Sequence, residues 1–274
     1  MRKLFAGLAL ACAVAGCQSD QKTVVQEISF LNWNVAHYCH GESQVSTIPE
    51  DKGREMLAKF SKVIGELNAD VVGICEYSEN FSTNGTIKAS RDLFGKYGKV
   101  VGPRQGNDRN AVFYRTGTKL ADKIQGYANR IGRPYYTAVK LDIKGTPVWF
   151  VQTQLDSHTY IEGHKEDRRL QIEQLIRDFG SEPHVVISGD FNVGVRMPGL
   201  DCFPAPEEYD PFVAAGYMLA NVNGTGTYPA KNPTQPLDNV IVKGLGLSDV
   251  RFIHAGGLST HLALVCKLQI YGRQ

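Results

Sequence analysis

Residues 184–194 read HVVISGDFNVG. Positions 185–188 are a short β-branched run of the kind that forms a buried strand. Gly189 then frees the backbone, and Asp190 and Asn192 follow at a spacing of two. In an extended chain residues i and i+2 point to one side. This reading puts a carboxylate and a carboxamide together at the end of a core strand, the rim where α/β folds place their chemistry. The alternative is an Asx turn that merely ends the strand.

Outward from this stretch, other apolar runs end in the same way. Residues 28–35 (ISFLNWNV) alternate as a strand and carry Asn32 and Asn34 near their end. Residues 69–76 (ADVVGICE) form a buried strand closed by Glu76, and a carboxylate there is costly unless paired or bound to a metal. Residues 135–143 and 147–155 read as a hairpin around Lys144-Gly145-Thr146, with Gln154, Asp156 and His158 at its far end. Residues 110–115 and 249–254 read as further strands. The strand at 237–242 opens with Asp238, and His261 stands at the mouth of a last strand over 262–270. Helical spacing predicts a helix from Asp51 to Asn68, with Met56, Leu57, Phe60, Val63, Ile64 and Leu67 inward. A second helix is expected over 162–179, with Leu170, Ile172, Leu175 and Ile176 inward and Arg168 and Gln171 one turn apart. A short helix is expected near 207–215. There is no fixed-period repeat and no linker that would split the chain.

The chain opens differently. Arg2 and Lys3 precede an apolar run, and Val14-Ala15-Gly16-Cys17 closes it. This resembles a bacterial lipoprotein signal whose Cys17 is lipidated. The expected organisation is a signal over 1–17, a polar tether over 18–26 and one domain over 27–274. The expected location is the bacterial cell envelope, lipid-anchored, periplasmic or at the cell surface. No other apolar run is long enough to cross a membrane. Two of the 30 basic residues fall in the leader, leaving 28 against 28 acidic ones. The balance is uneven: Lys88 to Lys144 holds 13 Lys/Arg against 4 Asp/Glu. That suggests an anionic ligand, or a solvated face. The segment lacks the dense Arg/Lys with interleaved stacking aromatics of a nucleic-acid groove, so nucleic acid is one partner among several. Cys75 and Cys266 read as buried hydrophobes. Cys39 and Cys202 are free to pair or not after export, and no cysteine spacing suggests zinc.

Asn34, Glu76, Asp190, Asn192, Asp238 and His261 therefore form one set of strand-end groups. Glu76 and the amide oxygen of Asn34 offer hard ligands to Mg²⁺, which polarises phosphoryl oxygens. His261 is suited to act as general base or to steady the phosphoryl oxygens, with Asp238 orienting it. Asp190 and Asn192 are placed to hold or activate a water.

In order, the motifs Asn32-Trp33-Asn34, Asp70 to Glu76, Gly189-Asp190-Phe191-Asn192, Leu237-Asp238-Asn239 and Ser259-Thr260-His261 resemble the endonuclease/exonuclease/phosphatase superfamily. The resemblance implies a DNase I-like α/β four-layer sandwich, two packed mixed sheets flanked by helices. It also implies metal-dependent phosphoester cleavage, with Mg²⁺, or Mn²⁺ or Ca²⁺, at Glu76 and Asn34. Catalysis falls to His261, Asp238, Asp190 and Asn192, and phosphate contacts to Gln154, His158 and Arg168. Family members commonly have Asn-Thr-His-Leu-Asp where this chain has Gln152-Thr153-Gln154-Leu155-Asp156. Gln154 donates hydrogen bonds but carries no charge. Thr260 replaces the usual acid of Ser-Asp-His, and Ala36 stands where some nucleases have another acid. Two functions follow: an exported, monomeric phosphoesterase acting on nucleic acid, a phospholipid head group or a phosphorylated small molecule, or a non-catalytic binding lipoprotein with the same fold. A Rossmann nucleotide site is poorly supported, since Val72-Gly73-Ile74 is no Gly-rich loop.

Overall fold

The computed structural model describes residues 23–38, 48–103, 109–127, 134–157, 166–194 and 205–272. The leader with Cys17, and Cys39, Cys202 and His158, lie outside the described residues. Among those described, no helix is long and apolar enough to cross a membrane.

The apolar runs fold into two six-stranded sheets. The first contains β1 (Val24–Asn34), β2 (Val71–Cys75), β3 (Tyr97–Val101), β4 (Ala111–Arg115), β11 (Gly246–Ile253) and β12 (Ala263–Tyr271), in the order β11-β12-β1-β2-β4-β3. The second contains β5 (Lys119–Tyr127), β6 (Pro134–Ile143), β7 (Thr146–Gln154), β8 (Val185–Asp190), β9 (Met218–Leu219) and β10 (Asp238–Lys243), in the order β5-β6-β7-β8-β10-β9. Each sheet is mixed: β1 runs parallel to β2 and β7 parallel to β8, while the other pairs are antiparallel.

Alternation along β1 separates the layers. Ile28 and Phe30 point between the sheets, where Phe30 stacks on Phe150 at 5.9 Å. Leu31, Trp33 and Val35 point outward onto helix α1 (Glu50–Leu67). There Trp33 meets Phe60 at 5.2 Å, and Phe60 and Ile64 are the fully buried centre of the stripe, with Met56, Leu57, Val63 and Leu67 partly buried around them. Glu50 and Asp51 sit in the first turn of α1, and Asn68 closes it in the left-handed conformation, as dipole and capping rules favour. The outer face of the second sheet buries Trp149, Ile187 and Ile241 under α2 (Asp167–Phe179) and α3 (Asp210–Ala214). Three apolar layers between four layers of structure give the expected sandwich.

Some boundaries move. The tether expected through residue 26 is strand from Val24, because Val24 and Gln26 pair with Tyr271 and Ile270. Strand β11 starts at Gly246 rather than 249, and α2 is described from Asp167. Strands β3, β5 and β9 were not anticipated: β5 is exposed along most of its length and carries no alternating apolar face. Cys75 and Cys266 are buried and free, as read from sequence.

Candidate active site

The C-terminal ends of β1, β2, β7 and β8 lie on one edge of the sandwich. Strand β10 runs antiparallel to β8, and Asp238 pairs with Asp190. Strand β12 runs antiparallel to β1, so its N-terminal end with His261 reaches the same edge. Topology thus collects groups from six strands.

The innermost unit is a line of three side chains. Asp238 Oδ2 lies 2.8 Å from His261 Nδ1, and His261 Nε2 faces Asp190 Oδ2 at 3.9 Å. All three are buried. Burial opposes a charge on His261, but Asp238 at Nδ1, with Asp190 and Glu76 beyond, outweighs it and holds the imidazole up at about 9. Burial pushes the Asp190 carboxyl up to about 7; Asp238 and Glu76 add to the rise, against His261 and the Asn192 amide. A nearby carboxylate pair and low dielectric are the ordinary causes of such displacement.

Asn192 reaches its place by the Asx turn, the alternative that the sequence offered beside a shared strand face. The extended strand ends at Asp190, and Asn192 has φ 48°. Its backbone N–H donates to Asp190 Oδ1 at 3.0 Å, and its side-chain amide donates to Leu155 O at 2.9 Å. The i, i+2 argument is therefore corrected: an Asx turn, not a shared strand face, joins the two residues. It fixes Asp190 Oδ1 and leaves Oδ2 toward His261. Gly189 makes the approach feasible, since a Cβ there would meet Thr153 O at 1.8 Å.

Glu76 forms the outer part. Asn34 Nδ2 donates to Glu76 Oε1 at 2.9 Å and to Asp190 Oδ2 at 3.2 Å, spanning both carboxylates. Asn34 Oδ1 instead accepts the Ala36 N–H at 3.0 Å. The amide oxygen expected as a metal ligand is thus turned away, and Asn34 serves the site as a donor. Gln154 Nε2 donates to the same Glu76 Oε1 at 2.9 Å. Glu76 Oε2 faces His37 Nε2 at 3.6 Å.

Arg168 does not point into this site. Its side chain is 4% exposed and forks onto Glu208, with Nη2 to Oε1 at 2.6 Å and Nε to Oε2. It also donates to Asp156 O at 3.1 Å and Gly194 O at 2.8 Å. Gln171 Oε1 accepts the Asp156 N–H at 2.8 Å. The expected phosphate contact is replaced by a clamp: one turn of α2 pins the loops that follow β7 and β8. Four of its five N–H donors are engaged locally, on Glu208 and two loop carbonyls.

By sequence, the model of the endonuclease/exonuclease/phosphatase family matches residues 31–256, well over half of the chain. The chain belongs to that family. No curated protein matches it by sequence. Its fold is similar to that of humanized D. rerio TDP2 carrying 14 mutations, at 13% identity, covering 88% of this chain and 98% of that one, with a TM-score of 0.66. A D. rerio TDP2 complexed with single-strand DNA product covers the same shares at 14% identity and a TM-score of 0.64. An endonuclease/exonuclease/phosphatase from Beutenbergia cavernae covers 90% of this chain and 72% of its own at 14% identity, with a TM-score of 0.64. Identities this low speak for the fold.

Within this family fold, several residues that sequence reading left without a role complete the edge. Ser259 Oγ donates to Asn34 O at 2.6 Å and accepts the His261 N–H at 3.1 Å. Trp33 Nε1 donates to His261 O at 3.2 Å, Thr227 Oγ1 accepts the Asp238 N–H at 3.1 Å, and the Tyr228 ring lies 4.9 Å from the imidazole. The Ser-x-His spacing could have flagged Ser259; Tyr228 has no sequence signal. A divalent cation fits this donor set. Three carboxylates gather around one imidazole, and a cation would relieve their mutual repulsion, which adds to the rise that burial causes at Asp190. Among the described residues no three His, Cys, Asp or Glu side chains are spaced to enclose an ion. Mg²⁺ commonly uses only one or two carboxylates, with waters and substrate phosphate filling the rest.

Proposed function

We infer that the chain is a divalent-metal-dependent phosphoesterase in which water attacks phosphorus. The observation that carries this reading is the Asp238–His261–Asp190 line, 2.8 and 3.9 Å long, at the family's strand-end edge. Asp190, held near neutrality, accepts the proton of the attacking water at Oδ2 as the new O–P bond forms and the bond to the leaving oxygen breaks. A base with a pKa near the working pH is the efficient choice. His261, charged at neutral pH, donates from Nε2 to a phosphoryl oxygen, and Asp238 holds its Nδ1. Of the two roles open to His261 in the sequence, this assigns the second. A divalent cation, expected from the sequence to be Mg²⁺, Mn²⁺ or Ca²⁺, would be held by Glu76, which Asn34 and Gln154 orient. When bound, the ion supplies positive charge to the phosphoryl and leaving oxygens.

The substrate reading is a phosphodiester or phosphomonoester on an anionic partner. Its support is the basic segment: β3 ends at Val101, β4 begins at Ala111, β5 ends at Tyr127 and β6 begins at Pro134, all on the site edge. Arg109 lies two residues ahead of β4. The single-strand DNA product bound by D. rerio TDP2 makes an oligonucleotide a natural member of the panel. The lipobox-like run at Cys17 supports an envelope location with a lipid anchor, for a monomer.

The test uses the purified full chain in detergent, with a chromogenic phosphodiester, a set of phosphomonoesters and a single-stranded oligonucleotide. Each is assayed with Mg²⁺, Mn²⁺, Ca²⁺, Co²⁺ or Zn²⁺ and with EDTA. The expected result is metal-dependent turnover lost in His261→Ala. No turnover with any cation, together with no thermal shift on adding one, would replace this reading with the non-catalytic binding lipoprotein. Mass analysis of the membrane fraction for acylated Cys17 tests the anchor.

A further inference from the structure

Immediately after β1, three consecutive residues that are not glycine adopt left-handed backbone: Ala36 (φ 44°), His37 (φ 56°) and Tyr38 (φ 63°). Left-handed backbone strains any residue that carries a Cβ, and such residues are normally solitary. Strain of this kind persists only where the surroundings over-determine it, and it gathers at functional sites. Here the surroundings are visible. Tyr38 is buried against Phe60 and Phe81, with Tyr38 and Phe81 stacked at 4.4 Å. The Ala36 N–H is held by Asn34 Oδ1, the Tyr38 N–H donates to Val35 O at 2.8 Å, and the His37 N–H donates to Glu76 O at 3.2 Å. Glu76 is itself left-handed, at φ 53°. The turn thus presents the His37 imidazole to the Glu76 carboxylate.

Glu76 is prepared for one-sided use. Its Oε1 takes two amide donors, from Asn34 and Gln154, so Oε2 is the oxygen left toward His37 Nε2, 3.6 Å away. Both side chains keep access to solvent, at 20% and 23% exposure. Neighbouring nitrogen and oxygen ligands about 2.1 Å from one tetrahedral or octahedral ion stand about 3.0–3.4 Å apart. The observed pair is a few tenths of an ångström from that spacing.

We propose that His37 Nε2 and Glu76 Oε2 together ligate the site's cation, and that this nitrogen–oxygen pair selects an imidazole-accepting ion such as Zn²⁺, Fe²⁺ or Co²⁺ over Mg²⁺. The proposal rests on the metal-dependent reading above and sharpens it, since oxygen-only sites suit Mg²⁺ while imidazole suits the later divalent ions. The imidazole here comes from the turn after β1, whereas Gln154, the neutral residue in the family's histidine position, braces Glu76 from the other side.

The experiment titrates Co²⁺ and Mg²⁺ separately into the purified full chain by calorimetry, comparing wild type, His37→Asn, His37→Ala and Glu76→Gln. Asparagine tolerates left-handed backbone, so His37→Asn removes the imidazole and keeps the turn. Proton NMR of the Co²⁺ form reads nitrogen ligation directly, as a hyperfine-shifted, exchangeable imidazole N–H. The expected result is a Co²⁺ affinity lowered about 10–100-fold in both His37 variants, with Mg²⁺ affinity within about threefold. The shifted N–H should vanish in His37→Asn and persist in His261→Ala. Unchanged Co²⁺ affinity in His37→Asn, or equal loss of both ions, would overturn the ligand role and leave a surface ion pair. Glu76→Gln separates the two levels: loss of both ions there keeps the metal-dependent reading even if His37 fails. A wild type that binds neither ion overturns both.

Discussion

Strands β1 and β2 carry a carboxylate at each end of their pairing, and the two ends have become different places. At one end Asp70 accepts hydrogen bonds from Ser29 N at 2.9 Å and Ser29 Oγ at 2.7 Å, while the Ser29 hydroxyl accepts the Asp70 N–H in return. Its side chain is 44% exposed, and Arg115 stands 3.9 Å away. A cleft of about 260 Å³ opens there between Asp70, Arg115, Asp142 and Lys144, with charges of both signs alternating around it. At the other end Glu76, Asp190 and Asp238 share one imidazole, and Asp190 and Asp238 are buried. A polar group at a strand end therefore carries little information alone. The distinguishing property is charge left locally unbalanced and hidden from water, which moves pKa values and gives a cation somewhere to go.

The comparison is broken most sharply by substitution at the buried end. His261→Ala and Asp190→Asn should each lower phosphoesterase turnover by about 10²–10⁴-fold, measured against the same ester with saturating metal. Arg168→Ala should act through stability: it strands Glu208 and two loop carbonyls, and chemical denaturation should show a loss of about 2–4 kcal/mol. Arg168→Lys should restore little of it, because the fork cannot be rebuilt. Gly73→Ala tests the packing under the site. A Cβ there would meet Gln152 Oε1 at 1.9 Å, and Gln152 bridges Asn32 and Ser188 between the sheets. A cost of about 1–3 kcal/mol is expected.

A gentler probe is pH, with the metal removed. His261 titrates at about 9 in the folded chain, above its unfolded value, so its contribution is full below about pH 6.5 and is lost as pH rises through 9. Asp190, raised to about 7, binds its proton more tightly when folded, so ionising it between about pH 4 and 7 also lowers stability. In EDTA the thermal midpoint should fall across this window, and Asp190→Asn should flatten the lower limb. Asp70→Asn, at the opposite end, closes the series: an effect below about 1 kcal/mol and turnover within about twofold of wild type. A larger loss of turnover there would dissolve the contrast between the ends.

The outline of the sandwich was legible because it rests on runs of apolar residues and on helix spacing. Residues 69–76 and 184–194 were readable as core strands, and Phe60 and Ile64 as part of the buried stripe of α1. Strand β5 was not legible, because an exposed edge strand needs no apolar alternation. The gathering of Asn34, Glu76, Asp190, Asn192, Asp238 and His261 at one edge was legible from residue types, yet their geometry was not. Asn192 arrives by a left-handed turn that breaks the period-two rule, and Asn34 faces the carboxylates with its nitrogen because a backbone amide claims its oxygen. Arg168 looked like a ligand-binding charge because its partner, Glu208, is 40 residues away in sequence. His37 carried no signal at all, since its position depends on three backbone angles that ordinary residues avoid.

Strand β12 lies between β1 and β11 in the first sheet, so the second-to-last piece of that sheet's order is supplied by the last strand of the chain. His261 sits just ahead of it. Until β12 is delivered, β1 has an open edge, His261 has no fixed partner, and Asn34 lacks the backbone contact made by Ser259. Contacts spanning 225 residues close late and slowly. A chain cut before Ser259 lacks His261, the partner strand of β1 and the Ser259 contact to Asn34, so this edge is complete only when the C-terminal strand is in place.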